Sequence, residues 1–220
     1  MENARSTPAD VRTARVADFL KRVQTPRGRL AFALDATMSR QPTWDAACQL
    51  QAEMFAEAGK LGSLEIQLVY FRGLNECRAG HWTCDTCELA NNMTKIACVA
   101  GYTQIGKILA HVRKEHAQQP VNAVVFVGDA MEETPHSLYD AAAGLGVPVF
   151  IFQEGNDPYV EQVFKEISVI TKGAYAKFGT GSARELAELL RAVATFAVGG
   201  TTALADLRTD GARKLLGQLK

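Results

Sequence analysis

The sequence has no excess of either charge. Its 24 Lys and Arg stand against 24 Asp and Glu, a formal net charge of zero. That balance gives no overall attraction to nucleic acid or to an anionic membrane, and no run of Lys or Arg is long enough to form a phosphate-binding tail. Also absent is any segment approaching the length of a membrane span. The opening residues, MENARSTPADVRTARVADF, lack the apolar core of a signal peptide. Neither nucleic acid nor membrane is therefore expected as a partner, and the expected compartment is the cytoplasm. Cysteine is scarce and odd in number. Five thiols fit that reducing compartment better than a disulfide framework. Internal repeats and low-complexity segments are missing too.

What is present is enough apolar sequence for one full core. The chain has 220 residues, 47% of them hydrophobic, which suits a single domain with appended helices. Thr7, Pro8 and Asp10 read as a helix start, and Val16, Phe19, Leu20 and Val23 follow at helical spacing. From Arg29 the pattern changes to RLAFALD, a short apolar run of the kind buried on both faces of a parallel sheet. Strand-like runs then alternate with helical ones. LEIQLVYFR, VNAVVFVGD, VPVFIF and GAYAKF read as strands, with an irregular stretch after the first of them, through Trp82. TCELANNMTKI, TQIGKILAHVRKEH, PHSLYDAAAGLG, DPYVEQVFKEISVI and SARELAELLRAVATFAV read as helices. Ser182 and Glu185 have capping-box spacing on the last, and Gly199 with Gly200 is expected to stop it. Such alternation predicts an α/β sheet with helices on both faces. The expected boundaries are a helical extension over 1–27, the α/β domain over 28–200 and a helical tail over 201–220. In that tail Leu204, Leu207, Leu215, Leu216 and Leu219 form a stripe expected to pack back on the domain.

Ligands of open α/β sheets bind beyond the carboxyl ends of the strands. After the first strand come Asp35, Thr37 and Ser39. If the chain stays extended there, their side chains point the same way. Asp129 ends a second buried strand. Between them, in VAGYTQIGKIL, Gly101 permits a tight loop and Thr103 stands at a helix start. Each has an ordinary explanation as a strand end or a helix cap. Together they are two carboxylates and three hydroxyls at places where loops should converge. All are hard oxygen donors, suited to Mg²⁺ or Mn²⁺ completed by water.

FALDATMS resembles the D-x-S-x-S motif of von Willebrand factor type A domains, with Thr37 at the first serine. GYTQIGKIL resembles that family's glycine-threonine loop opening into a helix, and VVFVGD its later strand ending in aspartate. The order and spacing match from about Arg29 to Val198. The resemblance implies a Rossmann-like three-layer α/β fold, with a mostly parallel central sheet, one antiparallel edge strand and helices on both faces. It also implies a metal-ion-dependent adhesion site. Asp35, Thr37, Ser39, Thr103 and Asp129 would hold Mg²⁺, or Mn²⁺ or Ca²⁺ in its place. Two departures stand out: threonine replaces the first serine, and VGDAMEE replaces the usual threonine-aspartate-glycine. The implied function is binding rather than catalysis, with the metal engaging an acidic side chain of a protein partner.

Two other chemistries compete with it, one on the same aspartate and one on the cysteines. A Mg²⁺-dependent phosphatase of haloacid-dehalogenase type also puts an aspartate at the end of its first strand. It usually needs a second carboxylate two residues later as acid and base, and here that position is Thr37. A zinc or redox module could use Cys84 and Cys87, which have ligand spacing, with Cys77 and His81 completing four positions. A single C-x-x-C at a helix start is also ordinary packing, and unliganded thiols are expected. His111 and His116 are expected on a solvated helix surface. Trp44 and Trp82 are expected to be buried rather than to rim the site.

Overall fold

The computed structural model describes residues 27–45, 47–48, 63–179 and 182–219. The expected helix around Val16 to Val23 lies outside them. Six strands form one sheet: β1 (Arg27–Asp35), β2 (Ser63–Arg72), β3 (Glu76–Ala79), β4 (Ala123–Gly128), β5 (Val149–Glu154) and β6 (Ala174–Phe178). Their order is β3-β2-β1-β4-β5-β6, and every neighbouring pair is parallel except β2 with β3. The stretch after β2, read above as irregular, thus contains the antiparallel edge strand.

Alternation along the central strands produces the three layers. Leu30, Phe32 and Leu34 of β1 face one core, with Val125, Val127, Phe150 and Phe152 of the neighbouring strands. Ala31 and Ala33 face the other, with Val124, Phe126 and Ile151. Helix α1 (Thr86–Thr94) covers the first face through Leu89 and Met93, alongside α5 (Ala183–Asp206) and α6 (Asp210–Leu216). Helices α2 (Ile105–Gln118), α3 (Pro135–Ala143) and α4 (Pro158–Ile170) cover the second. Burial on both faces explains why these strands read as unbroken apolar runs.

Helix ends follow the sequence expectations in one place and depart from them in another. As expected, the long helical run of α5 breaks at Gly199 and Gly200. Gly200 takes φ 66° and ψ −159°, outside helical geometry, and a second helical segment follows it to Asp206. Ser182 occupies the cap position of α5 without a side-chain hydrogen bond, and Glu185 accepts from the Gly179 N–H instead, so the capping box does not form. His111 and His116 are half-buried rather than solvated. His111 meets Gln67 at 2.9 Å and His116 Nδ1 accepts from the Val121 N–H. In the tail, Leu204 and Leu215 are buried while Leu207, Leu216 and Leu219 pack against the first core. Gln218 exchanges two hydrogen bonds with the Tyr175 backbone, 2.9 and 2.8 Å, and so satisfies the outer edge of β6.

One close backbone approach positions the loop before α2. A β-carbon at Gly101 would lie 2.0 Å from the Gly73 carbonyl oxygen. The Tyr102 N–H donates to that same oxygen at 3.2 Å. Gly101→Ala is therefore expected to force these loops apart, at a cost of about 1–3 kcal/mol. Thermal denaturation followed by circular dichroism checks it, and an unchanged midpoint would refute the close packing.

Candidate metal site

The chain leaves β1 toward β2 on one side and reaches β4 on the other. The sheet order therefore reverses between β1 and β4. Loops diverge at such a switch point and leave a crevice beyond the carboxyl ends of the strands. Asp35 is the last residue of β1, and Asp129 directly follows β4.

Asp35, Thr37, Ser39 and Thr103 line one cleft of about 200 Å³, shared with Met38, Gly101 and Glu132. Asp35 is only 2% exposed. Its Oδ1 accepts the Thr37 N–H at 2.7 Å, while Oδ2 is buried without a hydrogen-bond partner. Burial raises its carboxyl to about 6 from an ordinary 3.8. Thr37 hydrogen bonds pull the other way, and the nearby Asp129 charge adds a smaller upward push.

The chain does not stay extended past the strand. Thr37 is extended, but Met38–Arg40 form a 3₁₀ turn that leads into helical residues 41–45. The turn nevertheless keeps the two hydroxyls together, Thr37 Oγ1 lying 3.4 Å from Ser39 Oγ.

Thr103 is not the cap of α2; Gln104 takes that position. Thr103 is tied instead to Glu132, a residue the sequence reading passed over. The Thr103 N–H donates to Glu132 Oε2 at 2.8 Å, and the Glu132 N–H donates to Thr103 Oγ1 at 3.0 Å. Glu133 then accepts the Ile105 and Gly106 N–H groups at 2.6 and 2.8 Å, capping the helix start. The pair of acids after β4 therefore clamps the loop that carries Thr103.

Asp129 does not line the cleft. Its Oδ2 lies 3.9 Å from Arg40 Nη1, and its Oδ1 is buried without a hydrogen-bond partner. Arg40, 3% exposed, also pairs with buried Glu154, which accepts a hydrogen bond from Thr43. An arginine after a turn reads as surface, and only the tertiary fold supplies its buried partners.

No family model matches the sequence, and no curated protein matches it. Solved structures do. A von Willebrand factor type A protein from Catenulispora acidiphila superposes with TM-score 0.63 at 16% identity, over 79% of this chain and 43% of that one. The SpRpn10 VWA domain gives 0.58 at 10% identity, over 72% and 94%. An aerotolerance-related membrane protein from Bacteroides fragilis gives 0.55 at 16%, over 74% and 98%. This chain has the VWA fold. At such identities the likeness is one of fold, and the site must be argued from its own residues.

Within this VWA fold the cysteine-rich stretch falls elsewhere. No group of three or more His, Cys, Asp or Glu among the described residues is placed to hold a metal. Cys77, His81, Cys84 and Cys87 are thus not gathered into a tetrahedral set. His81 meets Glu88 at 2.7 Å, Cys84 lies beside Ser63, and all five cysteines are free thiols. Trp44 is buried and donates to the Met93 carbonyl at 3.1 Å. Trp82 is half-buried and stacks on Arg29, near the start of β1 and so at the opposite end of the sheet.

Because the folded Asp35 carboxyl is raised, the folded state holds its proton more tightly than the unfolded chain. Stability is therefore lost as pH rises from about 4 to 6, by roughly 3 kcal/mol in total. Asp35→Asn keeps the oxygen that accepts from Thr37 and removes the charge. In EDTA it should be more stable than the parent at pH 8 and equal to it near pH 4. Paired melting curves check this, and a variant less stable at pH 8 would contradict the buried charge.

Proposed function

We propose that the cleft holds a divalent cation, Mg²⁺ with Mn²⁺ or Ca²⁺ able to substitute, and that the cation engages an acidic side chain of a partner protein. Asp35, Thr37, Ser39 and Thr103 would hold the ion, with Asp129 close behind Asp35. One observation carries the reading. Asp35 Oδ2 is a buried carboxylate oxygen with no hydrogen-bond partner, in a wall shared with three hydroxyls. Such an oxygen is costly unless something positive reaches it. The donors are all hard oxygens, which favours these cations over zinc or copper. When bound, the ion would supply a Lewis-acidic position for one further oxygen donor. The VWA fold supports a protein-interaction role.

Charge counting sets the terms of that engagement. Arg40 offsets Glu154, its closer partner, which leaves Asp35, Asp129 and Glu132 around the crevice. Asp35 and Asp129 together balance a divalent cation. Glu132 adds a carboxylate at the mouth, so a partner's acid approaches against one like charge. Glu132→Gln is expected to bring acetate onto the Mg²⁺-loaded protein several-fold more tightly. Calorimetric titration with acetate checks it, and weaker binding would show that Glu132 does not oppose the incoming acid.

The metal itself is tested more directly. Metal-stripped protein titrated with MnCl₂ at pH 7.5 should show one site, weakened at least about tenfold by Asp35→Asn and by Thr103→Val. Equal Mn²⁺ affinity in the Asp35→Asn variant would overturn the assignment.

A further inference from the structure

Among the described residues six large apolar side chains are exposed, and four of them stand on the loops that border the cleft. Met38 is 59% exposed, Leu74 77%, Val99 43% and Tyr102 61%. The other two, Tyr159 and Val169, lie on α4. The four belong to loops stitched together by backbone hydrogen bonds. The Val99 N–H donates to the Ala36 carbonyl at 3.0 Å, Gly73 N–H to the Val99 carbonyl at 3.3 Å, and Tyr102 N–H to the Gly73 carbonyl at 3.2 Å. Residues 36–38, 73–74 and 99–102 therefore form one continuous rim beside Asp35, and Met38 itself lines the cleft. Scattered apolar residues on a surface need no explanation, whereas a contiguous group at a polar cleft marks a contact.

The mouth is thus two-sided. Apolar side chains stand on loops following β1, β2 and α1, while Glu132 and Asp129 stand on the loop following β4. That asymmetry selects a ligand. A run of acids or a phosphate-rich polymer would set further negative charge against Glu132 and Asp129 and leave the rim wet. A lone acid with bulky apolar neighbours meets the cleft with its carboxylate and the rim with its flanks.

We infer that the partner of this site is a protein segment carrying a single Glu or Asp flanked by large apolar residues, and that Met38, Leu74, Val99 and Tyr102 form the surface that selects those flanks. The carboxylate half of this inference rests on the metal reading; the apolar half does not need the ion.

Three capped pentapeptides test it, with centres Leu-Glu-Leu, Ser-Glu-Ser and Leu-Gln-Leu between terminal glycines. They are titrated into the full chain with Mg²⁺ or with EDTA, and amide chemical shifts are followed by NMR. With Mg²⁺, Leu-Glu-Leu should bind at least tenfold more tightly than Ser-Glu-Ser. The double variant Leu74→Ser, Tyr102→Ser should bring the two within about threefold while leaving Mg²⁺ affinity unchanged. Both side chains are exposed, so the fold should tolerate the change, and the Mg²⁺ titration confirms it. In EDTA the leucine preference should persist at lower affinity, and Leu-Gln-Leu should then bind at least as tightly as Leu-Glu-Leu, whose carboxylate meets Glu132 and Asp129 without the ion.

Equal affinity for the two acidic peptides, no binding of either, or a preference that survives the double variant would overturn the inference. A leucine preference that persists without any Mg²⁺ binding would sink the metal reading alone. Light scattering gives the remaining arm. A dimer of the parent chain that dissociates on Tyr102→Ser would assign the rim to a second copy and overturn the inference as well.

Discussion

The buried carboxylate of Asp35 is the constraint around which the carboxyl edge of the sheet is built. It ends the most central run of the core, between Leu34 and Ala36, both buried. One of its oxygens is satisfied by the Thr37 N–H and the other is not. Core strands end in polar residues routinely, but an end of that kind turns its oxygens to water. Here the following turn folds over the strand end, and burial holds the group well above its ordinary titration range. A cost of that kind persists where the surroundings over-determine the position, and such positions concentrate at functional sites.

The surroundings do over-determine it. Arg40, three residues beyond Thr37 and directly after Ser39 in the same turn, is drawn inward by Glu154 at the end of β5 and by Asp129 after β4. A buried arginine with a close carboxylate and a second more distant one is fixed in place, because removing the close acid, Glu154, would leave its charge with only Asp129 at 3.9 Å. The 3₁₀ turn between Asp35 and Arg40 therefore has its two ends anchored, one in β1 and one against β5. Thr37 and Ser39 have little freedom to separate. Meanwhile Glu132 and Glu133 grip the start of α2 from the loop after β4. Hydroxyls from two distant parts of the chain thus meet through ion pairs and backbone caps, not through contacts with each other.

Much of this was legible in the sequence, for a simple reason. Strands buried on both faces must be apolar throughout, so their ends, and the polar residues standing there, are visible without a structure. Asp35, Thr37, Ser39 and Thr103 were found that way and do share one cleft. Asp129 was found too, yet it turns toward Arg40 and away from the cleft wall. The misses share a cause. Arg40, Glu132 and Glu133 carry their meaning in partners roughly thirty to over a hundred residues away. Local pattern reads them as solvated surface. Conversely, Ser182 and Glu185 have ideal local spacing for a capping box, but Glu185 finds the Gly179 N–H instead. Gly200, by contrast, breaks the helix as its sequence predicts, and the segment beyond it packs through Leu204, which is buried in the core.

The same loops that gather the hydroxyls also create the exposed apolar rim, and one backbone contact links the two. Gly101 lies so close to Gly73 that no side chain fits between them. That approach seats Thr103 against the cleft and ties the backbone of exposed Tyr102 to Gly73, the residue before exposed Leu74. Leu74 at 77% exposure and Tyr102 at 61% are consequences of the geometry that builds the site. Relieving them by substitution to polar residues would cost the fold nothing, since neither packs in either core. Packing within the fold therefore does not account for their presence, and the loops that gather the hydroxyls are the ones that hold these side chains in solvent.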